Sequence, residues 1–482
     1  MMPAQDVLQI LPLLVLVGWA CLLLLADAFI PHDRKGLTAA LAAAGLLATL
    51  ILEVAWGGRT GLAFGGMIAL DGFATFLNVI FLASGLVSIA IAYGYLKRMQ
   101  LERSEYYPLL LFSVSGMVLM SHAADLIVVF LALELLSIPL YVLSGIAHPR
   151  LESEESALKY FLLGTFATGF LVFGIALTYG VTQSTNLVEV MGALQTQADP
   201  ALLLVGIGLI LIGLGFKVAV VPFHMWTPDV YQGSPTSVVA FMTVGAKLGG
   251  FAALLRVFVT AFPALAPAWA PTAAWVAAAT MAWGNIAALA QSNIKRMLAY
   301  SSVAHAGYIL MALASAQGPV VVPAVRAALF YLLAYAVTSL GAWAVVAALE
   351  RAEGKGLEID DYAGLGSRRP ALALAMTVFM LSLTGVPPTA GFVGKFTLFQ
   401  SAIDAGLIWL AIVGVLTSLI SAAFYLRVVV VMYMRPGEPA AEGDAWLKGS
   451  IGLAAVATVL LGLLPGPVLA LIAGAGTMAG IP

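Results

Sequence analysis

Charge is what this chain has least of. Of its 482 residues only 10% are Asp, Glu, Lys or Arg, where a soluble protein carries about 25%. Hydrophobic residues make up 62%, and mean hydropathy is +1.03. Cysteine is nearly missing: Cys21 stands alone, which excludes disulfides, iron–sulfur clusters and zinc–thiolate sites within the chain. The five histidines, His32, His122, His148, His224 and His305, show no paired spacing for haem, and no metal site is expected. A net charge of −2 gives no reason to expect a nucleic-acid partner, and no GxxxxGK[ST] motif is present. The longest polar connection, Glu350 to Pro370, is too short to fold by itself. If redox chemistry drives this protein, its cofactors lie elsewhere.

What remains is a polytopic all-α membrane protein. A sliding hydropathy window predicts fourteen spans, near 7–29, 37–56, 68–95, 106–121, 124–147, 157–180, 201–223, 235–260, 270–290, 297–315, 322–349, 370–404, 406–434 and 450–474. Ala26-Asp27-Ala28 resembles a signal-peptide cleavage site. However, no Lys or Arg precedes the apolar run, Asp6 sits where a basic region belongs, and the run is long enough to span. It reads as a first transmembrane helix. The loops after spans 1, 3, 5, 9, 11 and 13 hold most of the 22 lysines and arginines, among them Arg34, Lys97, Arg150, Arg296, Arg369 and Arg435. By the positive-inside rule that side is cytoplasmic, and both termini face away from it. Glu152, Glu154 and Glu155 then fall in the cytoplasmic loop before span 6, as a solvated face or a helix cap.

Two spans are broken. Span 7 carries Lys217 before Pro222 and His224 and restarts after Trp226-Thr227-Pro228-Asp229; span 12 contains Gly385-Val386-Pro387-Pro388 followed by Lys395. Proline removes an N–H and clashes with the carbonyl four residues back. Within lipid, the freed backbone groups are tolerated only where protein or water satisfies them. A lysine beside such a break points to a hydrated site buried in protein. The breaks lie five spans apart, so spans 4–8 and 9–13 read as two five-helix repeats, the second inverted because each has an odd number of helices. The layout is then 1–104 for spans 1–3, 105–260 for the first repeat, 261–435 for the second, and 436–482 for span 14 and the C-terminus.

The charges inside the spans are the candidate site. Glu134 lies mid-span in LALELLSIPLY, with Ser137 and Tyr141 on its face; Lys247 lies mid-span in TVGAKLGGF, after Thr243; Lys395 lies in GFVGKFTLF. Lys159 in ALKYFLLG fits either a proton path or a positive-inside anchor. His305 in YSSVAHAGY shares a face with Ser301, Ser302 and Tyr308; it suits a relay between Lys247 and Lys395, or a satisfied core histidine. His224 divides between relay and packing, and Asp229 reads as a helix cap. Asp27, Asp71, Asp125, Arg256, Arg326, Asp404 and Arg427, near span ends, read as interface anchors or contacts to other subunits. Two charges about 10 Å apart at an effective dielectric of about 20 interact by roughly 1.7 kcal/mol, enough to switch a neighbour's protonation. Moving a proton against about 100 mV costs about 2.3 kcal/mol, so the energy must come from outside the chain.

PFHMWTPDVYQGSPT, YSSVAHAGY, GVPPTAGFVGKF, LALELLSIPLY and ALKYFLLG together resemble the antiporter-like subunits of the proton-pumping NADH–quinone oxidoreductase, respiratory complex I. The resemblance covers spans 4–13. It implies a fourteen-helix fold with inverted repeats, and proton transfer through Glu134, Lys159, Lys217, Lys247 and Lys395. It also implies FMN, iron–sulfur clusters and quinone in partner subunits, other membrane-arm subunits as neighbours, and the bacterial inner membrane as location. Lys395 stands where the middle such subunit typically has glutamate, and the chain lacks the distal one's long C-terminal helix. The resemblance is therefore closest to the subunit nearest the quinone-coupled end. The same helices occur in multisubunit sodium–proton antiporters and membrane-bound hydrogenases, which supply a second reading. A scaffold whose polar groups only join helices is a third; it requires the buried lysines to be paired and dry. A quinone site within the chain is a fourth, which no feature of the sequence demands.

Overall fold

The computed structural model describes residues 4–31, 34–194, 200–352, 354–476 and 478; His32 lies outside these. Among them, eleven helices are long and apolar enough to cross a membrane, and Leu11–Asp27, Pro370–Thr384 and Gly466–Ala475 are shorter apolar helices. The bundle is built around Thr236–Ala261, every residue of which is buried. Around it pack Gly72–Arg98, Tyr106–His122, Leu126–Ser144, Pro200–Val218 and Val321–Leu349. Small residues permit this closeness: a Cβ on Gly249 would come within 2.9 Å of Leu136, and one on Gly250 within 2.5 Å of Val218. Ile294–Ser315 is the other deeply enclosed helix. By contrast, Leu151–Thr182, Ile408–Met434 and Ala445–Leu463 expose most of their apolar surface, as lipid-facing helices do.

Both expected breaks are present, and the proline argument places them. Pro200–Val218 stops four residues before Pro222, and Pro370–Thr384 stops four residues before Pro388. Each chain then turns through a left-handed residue, Ala219 at φ 62 and Gly385 at φ 92, the usual way to close a helix C-terminus. The chain resumes as Trp226–Gly233 in the first case and Ala390–Asp404 in the second.

Other boundaries differ from expectation. The stretch 450–474 is not one helix: Ala445–Leu463 ends four residues before Pro467, and Gly466–Ala475 follows. The helix expected at 157–180 begins at Leu151, so Glu152 and Glu154 sit in its first turn rather than in a loop. Acids there face the positive end of the helix dipole. A short antiparallel hairpin, Gly61–Ala63 with Ile68–Leu70, also went unforeseen, because three-residue strands leave no periodic signal.

Several polar residues near span ends are satisfied inside this chain rather than serving only as anchors. Arg256, 1% exposed, forms a fork with both carboxylate oxygens of Asp71 and donates to the Ser121 carbonyl at 2.6 Å. Lys35 pairs with Asp27 at 2.8 Å. Asp125 caps Leu126–Ser144 through the Ile127 N–H, and Arg427 donates to the carbonyls of Leu289 and Gln291. Their position in sequence matched an interface, but the fold brings their partners from other helices.

Candidate functional site

Lys217 ends the first half-helix buried, 3% exposed. Its ammonium donates to Ser137 Oγ at 2.8 Å and Tyr160 OH at 3.0 Å, and it lies 5.3 Å and 5.9 Å from the ring centroids of Tyr160 and Tyr141. Ser137 and Tyr141 are the residues one and two turns on from Glu134, so that helix face reaches the lysine. Glu134 itself accepts from Thr168 Oγ1 at 2.8 Å instead of pairing with the ammonium. Glu134 is half-buried in a stripe with Ile127, Leu131, Ile138 and Val142, all about half exposed, so this acid lies on the lateral face of the bundle.

Lys247, 2% exposed at the centre of the core helix, donates to the backbone carbonyl of Ser302 and sits 5.6 Å from the Tyr335 ring centroid. The Tyr335 hydroxyl in turn donates to Ser302 Oγ at 2.9 Å. Three residues further along, His305 is held at both ring nitrogens: Nδ1 is 2.5 Å from Tyr331 OH, and Nε2 is 3.1 Å from Tyr425 OH, which also meets Ser301 Oγ. Lys395, 4% exposed, donates to the Thr384 carbonyl at 2.9 Å and to Ser418 Oγ at 3.1 Å, with its ammonium 4.5 Å from the Tyr308 ring centroid. Ser418 donates onward to Tyr308 OH at 3.0 Å, and Thr417 and Asn285 reach the same hydroxyl.

The three buried lysines share one property. Among the described residues none of them is ion-paired; each ammonium is held by hydroxyls, carbonyls and aromatic faces. Such contacts solvate a cation without fixing its charge as a carboxylate would.

Lys159 stands apart from that arrangement. It is 40% exposed in its side chain and pairs with Asp229 at 2.8 Å and Glu155 at 2.6 Å; Asp229 also takes Arg296 at 2.7 Å. The cluster lines an open polar cavity of about 560 Å³, together with Arg150, Lys295 and Glu350. Asp229 is thus an ion-pair partner of two separate helices, whereas it had read as a cap. Beside the first break, His224 is buried, its Nδ1 has no hydrogen-bond partner among the described residues, and its ring centroid lies 6.2 Å from that of Trp283, edge to face. The hydroxyls of Thr227 and Ser234 nearby are also buried without a partner among the described residues.

Tyr160, Thr168, Tyr331, Tyr335, Ser418 and Tyr425 all touch the row and were not singled out from sequence. Nothing marks a tyrosine in an apolar span as a site residue until the helix opposite is known. The same is true of a second buried network: Asn78 bonds Glu53 at 2.9 Å and His122 Nε2 at 2.9 Å, Ser121 bonds Asn78 at 2.6 Å, and His122 Nδ1 lies 2.7 Å from the Ala69 carbonyl. It joins three helices and none of the lysines.

With this geometry in hand, likeness to known proteins can be weighed. The profile of the NADH:quinone oxidoreductase/Mrp antiporter transmembrane family matches residues 123–421. A Chloroflexus aggregans protein named NADH-quinone oxidoreductase subunit N is 49% identical over 98% of this chain and 97% of its own length. A chain of respiratory complex I from Thermus thermophilus superposes with a TM-score of 0.82 at 37% identity, covering 96% of this chain and all of that one. A chain of the Mrp complex from Dietzia superposes equally well, at 0.83, but at 23% identity it shows the common fold alone.

Proposed function

The chain belongs to the NADH:quinone oxidoreductase/Mrp antiporter transmembrane family, and on that premise we propose that it is a proton-translocating membrane-arm subunit of NADH–quinone oxidoreductase, of the subunit N type. It works as part of a translocase among other membrane-arm subunits in a bacterial inner membrane. FMN, iron–sulfur clusters and quinone belong to partner subunits.

One observation carries the mechanism: Lys217, Lys247 and Lys395 are buried with no carboxylate partner among the described residues. A scaffold role would need them neutralised by pairing. Held instead by hydroxyls and rings, each can lose and regain a proton as nearby charge changes. Glu134 is the acid placed to impose that change on Lys217, from the lateral stripe where a neighbouring subunit would pack. Tyr231 packs edge-on against Trp226, whose ring stacks on Tyr160 beside Lys217, and extends the row from that site. His305 and its tyrosines continue the row toward Lys395. Buried polar atoms with no partner among the described residues, such as those of Thr227, Ser234 and His224, ordinarily hydrogen-bond internal water, which suits proton hand-off near the first break. Lys159 takes a lesser part at the edge of the row, in the open cavity.

The inverted-repeat layout, with spans 4–8 in 105–260 and 9–13 in 261–435, is part of this reading. It is supported by the matched breaks and by one further correspondence. The capping residue Asp125 bridges Asn186 just beyond the next long helix, and the capping residue Asn293 bridges Glu358 in the corresponding place. The fourteen-span count follows if Leu11–Asp27, Tyr106–His122 and the broken pair Pro370–Thr384 with Ala390–Asp404 each cross with the eleven longer helices. Arg150, Lys295 and Arg296 come from different loops yet meet at one cavity, which supports a single cytoplasmic face and both termini on the other side.

The test is proton pumping by the reconstituted complex carrying Lys217→Ala or Glu134→Ala. Redox-driven pumping should fall while artificial electron transfer in the peripheral arm persists. Unchanged proton-to-electron stoichiometry would defeat the proposal, and a purified complex lacking flavin and iron–sulfur clusters would favour a sodium–proton antiporter.

A further inference from the structure

An apolar groove of about 1,080 Å³ runs along the outside of the bundle between Pro370–Thr384 and Ala445–Leu463. Its lining includes the small residues Ala371, Ala375, Gly452 and Ala455 and the larger Val378 and Leu460. A Cβ on Gly452 would meet nothing within 4 Å. Both helices begin at the same end of the groove, and there the lining changes character: Arg368, Arg369 and Lys448 against a single acid, Glu442. Arg368 is paired with Glu438 at 2.6 Å, but neither Arg369 nor Lys448 is ion-paired among the described residues. The carboxylate of Asp444, the cap of the second helix, faces Gly94 on another helix.

These features fit one occupant. From Lys448 to Leu460 the helix rises roughly 18 Å, close to half of the about 30 Å hydrocarbon core, so the groove is one leaflet deep. Its charged end carries Arg369, just before the first helix, and Lys448, in the first turn of the second, at the end read as cytoplasmic, and the two helix N-termini add to the positive potential there. We propose that the groove is a binding site for an anionic glycerophospholipid of the cytoplasmic leaflet, with the phosphate between Arg369 and Lys448 and an acyl chain over Gly452 and Ala455. The site is separate from the lysine row and does not depend on what that row does.

The experiment uses the purified membrane complex containing this chain, in nanodiscs doped with a diazirine-tailed phosphatidylglycerol or the matching phosphatidylcholine. Peptide mass spectrometry reads labelling of residues 371–378 and 451–460. Phosphatidylglycerol should label both segments well above phosphatidylcholine. Arg369→Gln and Lys448→Gln should each cut that labelling about fivefold, the effect of ~1 kcal/mol per basic residue at a membrane surface. Gly452→Leu should abolish it by filling the groove, while Arg435→Gln, at a cation already paired with Asp360, should leave it unchanged. Equal labelling by the two lipids, labelling indifferent to both charge variants, or none because another subunit covers the groove would each overturn the proposal.

Discussion

The two broken helices solve the same problem with different means. At the first, Lys217 sits in the last turn of its own half-helix, near the negative end of that dipole, and bonds Ser137 one turn on from Glu134, whose carboxylate is held by Thr168. At the second, Lys395 reaches back from the following half-helix to the carbonyl of Thr384, so it too sits at a half-helix C-terminus. Among the described residues no acid is bonded to Lys395 or to its partners there; Ser418, Tyr308 and Thr417 form a hydroxyl cluster instead. In the proposed mechanism the difference means that one end of the row is switched by a neighbouring charge, while the other holds and releases a proton among hydroxyls.

Removing the switchable end should have the largest effect. Lys217→Ala should lower redox-driven pumping on the order of 10²-fold, the loss typical of a positioned proton carrier, measured by dye quenching in proteoliposomes. Lys395→Ala should do the same if the second end is equally essential; full pumping there would break the comparison. Arg256→Ala tests whether such losses come from the row and not from any buried cation. It should cost roughly 3–5 kcal/mol by leaving the Asp71 carboxylate buried without its cation, read as lost assembly on native gels at unchanged expression. Thr168→Val should free Glu134 from its restraint and change pumping by the few-fold that about 1 kcal/mol of hydrogen bond allows, with the complex intact. The smallest effects belong to the turns. Gly385→Ala would be strained by about 1–2 kcal/mol at a left-handed residue and would crowd the Lys395 side chain, 2.9 Å away. Ala219→Gly should leave thermal stability unchanged or slightly raised. Equal thermal shifts for the two would show that the breaks are not conformationally alike.

Much of this arrangement was legible in the residues. Pro222 and Pro388 set where the half-helices stop, because a proline's clash with the carbonyl four residues back is a local matter. Lys217, Lys247 and Lys395 stood out because a charge deep in an apolar run has few other uses. Lys159 was ambiguous in sequence, and the fold shows it in an exposed ion cluster with Asp229 and Glu155. The internal partners of Arg256 and Asp71 were not legible, nor was the Glu53–Asn78–His122 network, since each joins residues far apart in the chain.

By itself, then, the sequence determined that the chain is a helical membrane bundle, where two helices break, and which side chains are too costly to bury without purpose. These follow from transfer free energy and from backbone sterics, which act residue by residue. Only the tertiary structure decided that the lysines are met by tyrosines and serines instead of acids, and that Glu134 faces outward. Those facts depend on which helix faces pack together, and interhelical packing is fixed by the sum of many contacts distant in sequence.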